Sequence, residues 1–80
     1  MKHVYILQSI TEPAKRYVGI TSHFQERLKQ HNAGQCPYTA ENRPWKPVVV
    51  IRFDDDAKAE TFERYLKSGS GHAFAHKHFS

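Results

Sequence analysis

HVYILQSITEPAKRYVGIT, residues 3–21, decides the fold. Its two ends, His3 to Ser9 and Arg16 to Thr21, are rich in β-branched and aromatic residues and read as strands. Thr11 to Lys15 between them is polar, contains a proline and has the length of a hairpin connection. An antiparallel hairpin therefore opens the chain. If its register pairs residues whose numbers sum to an even value, Tyr5 and Tyr17 fall on one face, because strand side chains alternate with period two. Gly19 weakens the second strand unless something approaches the backbone closely there.

Working outward, Ser22 as N-cap with Gln25 three positions on matches a capping box and predicts a helix to about His31 or Asn32, stopped by Gly34. Gln35 to Pro47 holds three prolines and no periodicity, so it is expected to be a loop, with Trp45 as its anchor. Val48 to Phe53 is the clearest strand, and its apolar run suggests a central position in the sheet. Asp54, Asp55 and Asp56 offer an N-cap and negative charge for a second helix, from about Asp56 to Lys67. Ser68 to Gly71 breaks it, and His72 to Phe79 has room for one or two further turns. The order β-β-α-β-α plus a short terminal helix specifies an α+β fold, a small sheet covered by helices.

Eighty residues make one domain, residues 1–80, with no room for a separate recognition module. A chain this short buries only about 60–65% of its unfolded surface, so the core must be compact. Cys36 is the only cysteine, and no internal disulfide or oxidising compartment is implied. The longest apolar run, Val48 to Ile51, is too short to cross a bilayer, and Met1-Lys2 leads into no secretory segment. A cytoplasmic location with no membrane partner is the expectation. Twelve Lys and Arg against eight Asp and Glu give a net charge of +4, which favours a polyanion such as nucleic acid. Charge alone is a weak signal, since many small basic proteins bind nothing in particular.

Polar groups on otherwise apolar faces are more informative. At about 100° per residue, Phe24, Leu28 and His31 share one face of the first helix, with Arg27 at its edge. A guanidinium placed there needs an anionic partner, and a structural salt bridge, even to Glu63, is the plain explanation. On the second helix, Ala59, Phe62 and Leu66 form the apolar stripe and Glu63 lies one step off it. Such a carboxylate is either paired, the commoner case, or bound to a hard cation. Tyr5 and Tyr17 could be simple packing residues. Together with Arg27, His31 and Glu63 they could instead converge as a site for phosphate and metal.

The sequence resembles the GIY-YIG nuclease superfamily. His3-Val4-Tyr5 and Tyr17-Val18-Gly19 look like its paired signatures, and the likeness continues through Thr21, Arg27, His31, the segment Tyr38-Thr39 to Arg43-Pro44-Trp45, Glu63 and Leu66-Lys67. The resemblance implies a three-stranded antiparallel sheet flanked by helices and hydrolysis of a phosphodiester with one magnesium or manganese ion. Carried over, Glu63 is the metal ligand. Tyr5 acts as general base or positions the attacking water, Arg27 holds the phosphate, and Tyr17 and His31 assist. Position 3 is His rather than Gly, position 18 is Val rather than Ile, and Ala75 stands where repair-type members have Asn.

The alternative is a nucleic-acid-binding module without cleavage. Arg27, Lys29, Arg43, Lys46 and Lys67 would then contact phosphates, Gly19 would admit a close approach, and Glu63 would be structural. DNA is expected before RNA, with structure or weak sequence selectivity. Sequence-specific cleavage would need a homodimer or a larger complex. A separate reading is a zinc or nickel site on His72, His76 and His78, although no Cys or carboxylate lies near in sequence to complete it. Cys36 lacks any local mark of a nucleophile.

Overall fold

The computed structural model describes residues 1–79. The elements are β1 (Lys2–Ser9), β2 (Arg16–Thr21), α1 (Phe24–Asn32), β3 (Trp45–Phe53), α2 (Asp56–Leu66) and α3 (Gly69–Phe79). The three strands form one antiparallel sheet in the order β2-β1-β3. This is the expected α+β architecture.

The hairpin register pairs Tyr5 with Gly19 and Leu7 with Tyr17, the even-sum pairing that puts both tyrosines on one face. β1 is central and serves two cores. Val4 and Ile6 pack under α2 and α3 with Ala59, Leu66 and Ala75. Tyr5 and Leu7 face the other way, with Trp45, Tyr17, Phe24 and Leu28. The sheet is thus a middle layer, with α2 and α3 on one side and α1 on the other.

β3 corrects two expectations. It lies at an edge, and it starts at Trp45 rather than Val48. Pro47 is tolerated because an edge strand has one unpaired side and because the register shifts between Ile6 and Leu7, a bulge that spares a ladder bond. The apolar run of β3 faces half-buried ground, and Val50 is exposed.

The helix ends follow local chemistry. The N-cap of α1 is His23, with no side-chain cap, so the Ser22–Gln25 capping box does not form. Thr21 Oγ1 instead accepts the His23 N–H at 3.1 Å, and the local turn takes precedence. At the other end the Gly34 N–H reaches the His31 carbonyl at 3.2 Å and the Gln35 N–H the Gln30 carbonyl at 3.1 Å, with Gly34 at φ 80°. That is a Schellman stop, as expected. Asp55 caps α2 by accepting from the Ala57 and Lys58 N–H groups at 2.9 and 3.2 Å.

α3 is longer than expected and starts inside the glycine-serine segment. Ser68 Oγ accepts the Gly71 N–H at 3.1 Å and donates to the Tyr65 carbonyl at 2.6 Å, joining the two helices through one hydroxyl. A Cβ at Gly71 would fall on the Tyr65 carbonyl, so this glycine lets α3 start hard against the end of α2. No helix among the described residues is long and apolar enough to cross a membrane.

Candidate active site

The α1 face of the sheet carries a compact polar cluster. Tyr5 is 1% exposed and His31 is fully buried. The Tyr5 hydroxyl lies 2.9 Å from His31 Nε2. On the far side of the ring, His31 Nδ1 lies 2.8 Å from Thr39 Oγ1. Thr39, also fully buried, donates its hydroxyl to the Cys36 carbonyl at 3.3 Å. Where that proton stays on the Cys36 carbonyl, Thr39 accepts from His31 and the imidazole carries its proton on Nδ1. Nε2 is then a bare lone pair that accepts the Tyr5 hydroxyl proton. Tyr17 closes the cluster, its ring 5.0 Å from that of His31 and 6.4 Å from that of Tyr5.

The loop that delivers Thr39 is tied at both ends. Asn32 accepts the Trp45 N–H at 2.7 Å and donates to the Trp45 carbonyl at 3.1 Å, acting as a substitute strand partner. The buried Trp45 indole N–H donates to the Thr39 carbonyl at 2.7 Å. Trp45 is therefore the anchor that the sequence suggested. Ser9 Oγ adds a bond to the Asn42 carbonyl at 2.7 Å.

Arg27 stands at the edge of the cluster. It is half-buried, and its Nη1 donates to Gln30 Oε1 at 3.0 Å. Its guanidinium also acts on the Tyr5 hydroxyl, and this bond raises Arg27 above its ordinary value. Among the described residues no carboxylate pairs with it, so the structural salt bridge to Glu63 is absent. Burial pushes Tyr5 up to about 12 despite the Arg27 bond. Burial, aided by the Arg27 charge, lowers His31 from the ordinary histidine value. The cluster is thus a neutral phenol, a neutral imidazole and a guanidinium with no carboxylate partner among the described residues.

Glu63 lies on α2, the helix packed on the opposite face through Ala59 and Leu66. Its side chain is 14% exposed and pairs with Lys67 one turn on. Lys67 is paired with Glu63 and remains 53% exposed. Around the β2 edge the two faces meet in a cleft of about 1040 Å³, to which Tyr17 and Lys67 both contribute. Lys15, Arg16, His72 and His76 also line it, over a floor that includes Ile6, Leu66 and Ala75, and among the described residues no carboxylate lines it. Ala75 gives the cleft a methyl group and no polar one.

The other expected phosphate-binding residues divide. Lys29, Arg43 and Lys46 are exposed on α1, the loop and β3. Arg43 Nε donates to the Ala40 carbonyl at 2.7 Å and its guanidinium covers Gly34. Gly19 is buried, and the close approach it permits is by the Tyr5 phenol, which a Cβ would strike. A nucleic acid is not what occupies that space. His78 packs in a tilted ring contact on Phe74 while His72 and His76 line the cleft, so the three histidines do not converge. Among the described residues no three His, Cys, Asp or Glu gather as a metal cage. Sequence reasoning missed Thr39, Lys15 and Arg16. The basic pair next to the hairpin loop was visible as charge, whereas nothing periodic marks Thr39.

A family model described as the GIY-YIG catalytic domain matches residues 1–75. The chain is similar to the structure-specific endonuclease subunit SLX1 of Candida dubliniensis, 36% identical over 84 residues that cover 96% of this chain and 28% of that protein. The SLX1 subunit of Yarrowia lipolytica is 38% identical over 71 residues, covering 80% of this chain and 25% of that protein. A UPF0213 protein of Clostridium perfringens is 35% identical over 68 residues, covering 84% of this chain and 71% of that protein. The chain thus spans about a quarter of the length of the SLX1 relatives.

Proposed function

The chain belongs to the GIY-YIG catalytic domain family, and we propose that it is an endonuclease that hydrolyses phosphodiester bonds, acting on DNA with structural selectivity. The observation that carries this reading is the half-buried Arg27, without a carboxylate, beside a tyrosine hydroxyl bonded to a neutral histidine. A phosphate is the anion such a guanidinium lacks, and its charge grows where Arg27 can meet it. The names of the SLX1 relatives support the structure-specific part.

Glu63 fits one magnesium or manganese ion, because it is a hard carboxylate, largely shielded and held, among the described residues, by Lys67. One carboxylate suffices where waters and substrate phosphate complete the shell. When bound, the ion supplies positive charge to the phosphoryl oxygens. The chain's own residues do the rest. Arg27 holds the scissile phosphate and neutralises its developing charge. The attacking water gives a proton to the Tyr5 oxygen as Tyr5 passes its own to His31 Nε2. Hydroxide oxygen bonds to phosphorus, the leaving oxygen departs and is protonated by solvent, and His31 holds the proton until solvent removes it. Tyr17 walls the site and limits where water can stand.

This relay needs neutral His31 and no phenolate. Because the His31 value is lowered from 6.5, the rate should be flat from about pH 7 to 9 and fall only on the acid side of 6.5. A tyrosinate base with its value near 12 would give a rate climbing through pH 8 to 10 instead. Tyr5→Phe should cut turnover by roughly a hundredfold with little change in KM, and cost about 1 kcal/mol of stability for the lost bond to His31. A wild-type rate that climbs steadily to pH 10 would sink the relay.

The basic cleft supports a track for the phosphate backbone. The double variant Lys15→Ala/Arg16→Ala should weaken substrate binding and reduce the slope of log affinity against log salt by about 1 for each phosphate no longer neutralised. An unchanged slope would place the backbone elsewhere. The activity itself is tested on plasmid, branched, single-stranded and RNA substrates, with and without magnesium or manganese. Binding without cleavage under every metal condition would leave only the binding module.

A further inference from the structure

We propose that Thr39 is a positioning residue that sets the protonation pattern of His31, so that Nε2 faces Tyr5 as a lone pair. The proposal rests on the nuclease reading above for its catalytic consequence, but its structural half stands by itself.

A neutral imidazole has two tautomers, and which is present is decided by what each nitrogen meets. Tyr5 cannot decide it, because a phenol both donates and accepts. Cys36 can. Its carbonyl is acceptor only, and at 3.3 Å it takes the Thr39 hydroxyl proton. Thr39 Oγ1 is then left to accept from Nδ1 at 2.8 Å, and Nε2 is left to accept from Tyr5 at 2.9 Å. The direction of every proton in the chain from Tyr5 to Cys36 follows from one backbone carbonyl. None of it is averaged by solvent, since Tyr5, His31 and Thr39 are each at most 1% exposed.

Thr39 is itself held from two sides. The Trp45 indole fixes its carbonyl at 2.7 Å, and its own N–H bonds the Cys36 carbonyl at 3.1 Å. The Cys36 carbonyl thus receives both the backbone N–H and the hydroxyl of Thr39, a back-bond to the residue three positions earlier that fixes the oxygen beside His31. A threonine that served packing alone would need no such aim. With the other tautomer, Nε2–H would point at the Tyr5 oxygen. Tyr5 would then have no acceptor there for its proton, and the relay would run the wrong way. Removing the group that orients a catalytic histidine is known to cost far more in turnover than in binding.

The test uses the whole chain, with 15N-labelled histidine read by long-range proton–nitrogen NMR. Wild type and Thr39→Ser should show His31 protonated at Nδ1. Thr39→Val, which keeps the shape and removes the hydroxyl, should move the proton to Nε2. In cleavage of a branched DNA, the valine variant should lose roughly a hundredfold in kcat with KM within about twofold, and the serine variant should restore most of it. Wild-type His31 protonated at Nε2 would overturn the proposal whether or not any variant folds. So would a valine variant that keeps the Nδ1 proton, or one that turns over normally. If wild type cleaves no substrate, the nuclease reading has failed, and the control of His31 by Thr39 is decided by the NMR spectra alone.

Discussion

Glu63→Gln is expected to lower metal-dependent cleavage by on the order of a thousandfold, because the charge a divalent ion adds to a phosphoryl transition state is worth several kcal/mol. The substitution keeps the size of the side chain and its place beside Lys67 and removes only the charge. Stability should barely move, since an exposed-partner pair one helical turn apart contributes about 0.3–0.5 kcal/mol. For a domain of this size that is about 1–4 °C in Tm. Titration with manganese, followed calorimetrically, should show the ion's affinity falling in parallel with the rate. A variant that cleaves at the wild-type rate would make Glu63 the structural partner of Lys67 and nothing more.

Arg27→Ala should cost about a hundredfold or more in kcat and a smaller factor in KM, because its charge matters most where the phosphate charge grows. The variant carries a second signature. The Arg27 cation helps to hold His31 low, so its removal lets the histidine rise toward the ordinary value. A group with a higher pKa stays protonated to higher pH, so the acid limb of the rate profile should move to higher pH. Loss of rate without that movement would mean that Arg27 touches the substrate but not the relay. Normal turnover of the folded fraction would remove it from the chemistry altogether. The fold should survive, since its partners are a glutamine on its own helix and a hydroxyl already bonded to His31.

Much of this was legible in the sequence where the physics is local. The hairpin parity, the Gly34 stop and the acidic cap of α2 depend on residues a few positions apart, and each appears as expected. The departures are places where distant packing decides. Pro47 looks like a loop residue until β3 proves to be an edge strand with a bulge beside it. Gly69 and Gly71 look like a break until Gly71 proves to be what lets α3 abut Tyr65. The capping box lost to Thr21, a competitor one residue upstream. In the site, Tyr5, Tyr17, Arg27 and His31 do come together, one of the two arrangements their types and spacings left open, while Glu63, expected with them, stands on α2 across the sheet. Lys67 sits four residues after Glu63, so its pairing was there to be read in the helical spacing. Thr39 was visible only as part of the resemblance, because its role exists only once Trp45 and Cys36 have fixed where its oxygen points.

The alternation of β1 has an effect on how the chain can change. Val4 and Ile6 serve one core, while Tyr5 and Leu7 serve the other. Inserting or deleting a single residue inside the strand would exchange the two sets, sending the phenol under α2 and an aliphatic side chain to His31. Substitutions can be absorbed one at a time, but length can vary only in steps of two, and only from the hairpin end, where Thr11 to Lys15 lie exposed. The frame of this strand is therefore fixed as a whole, and a change in the hairpin tip reaches the cleft through Lys15 without disturbing which side chains meet His31.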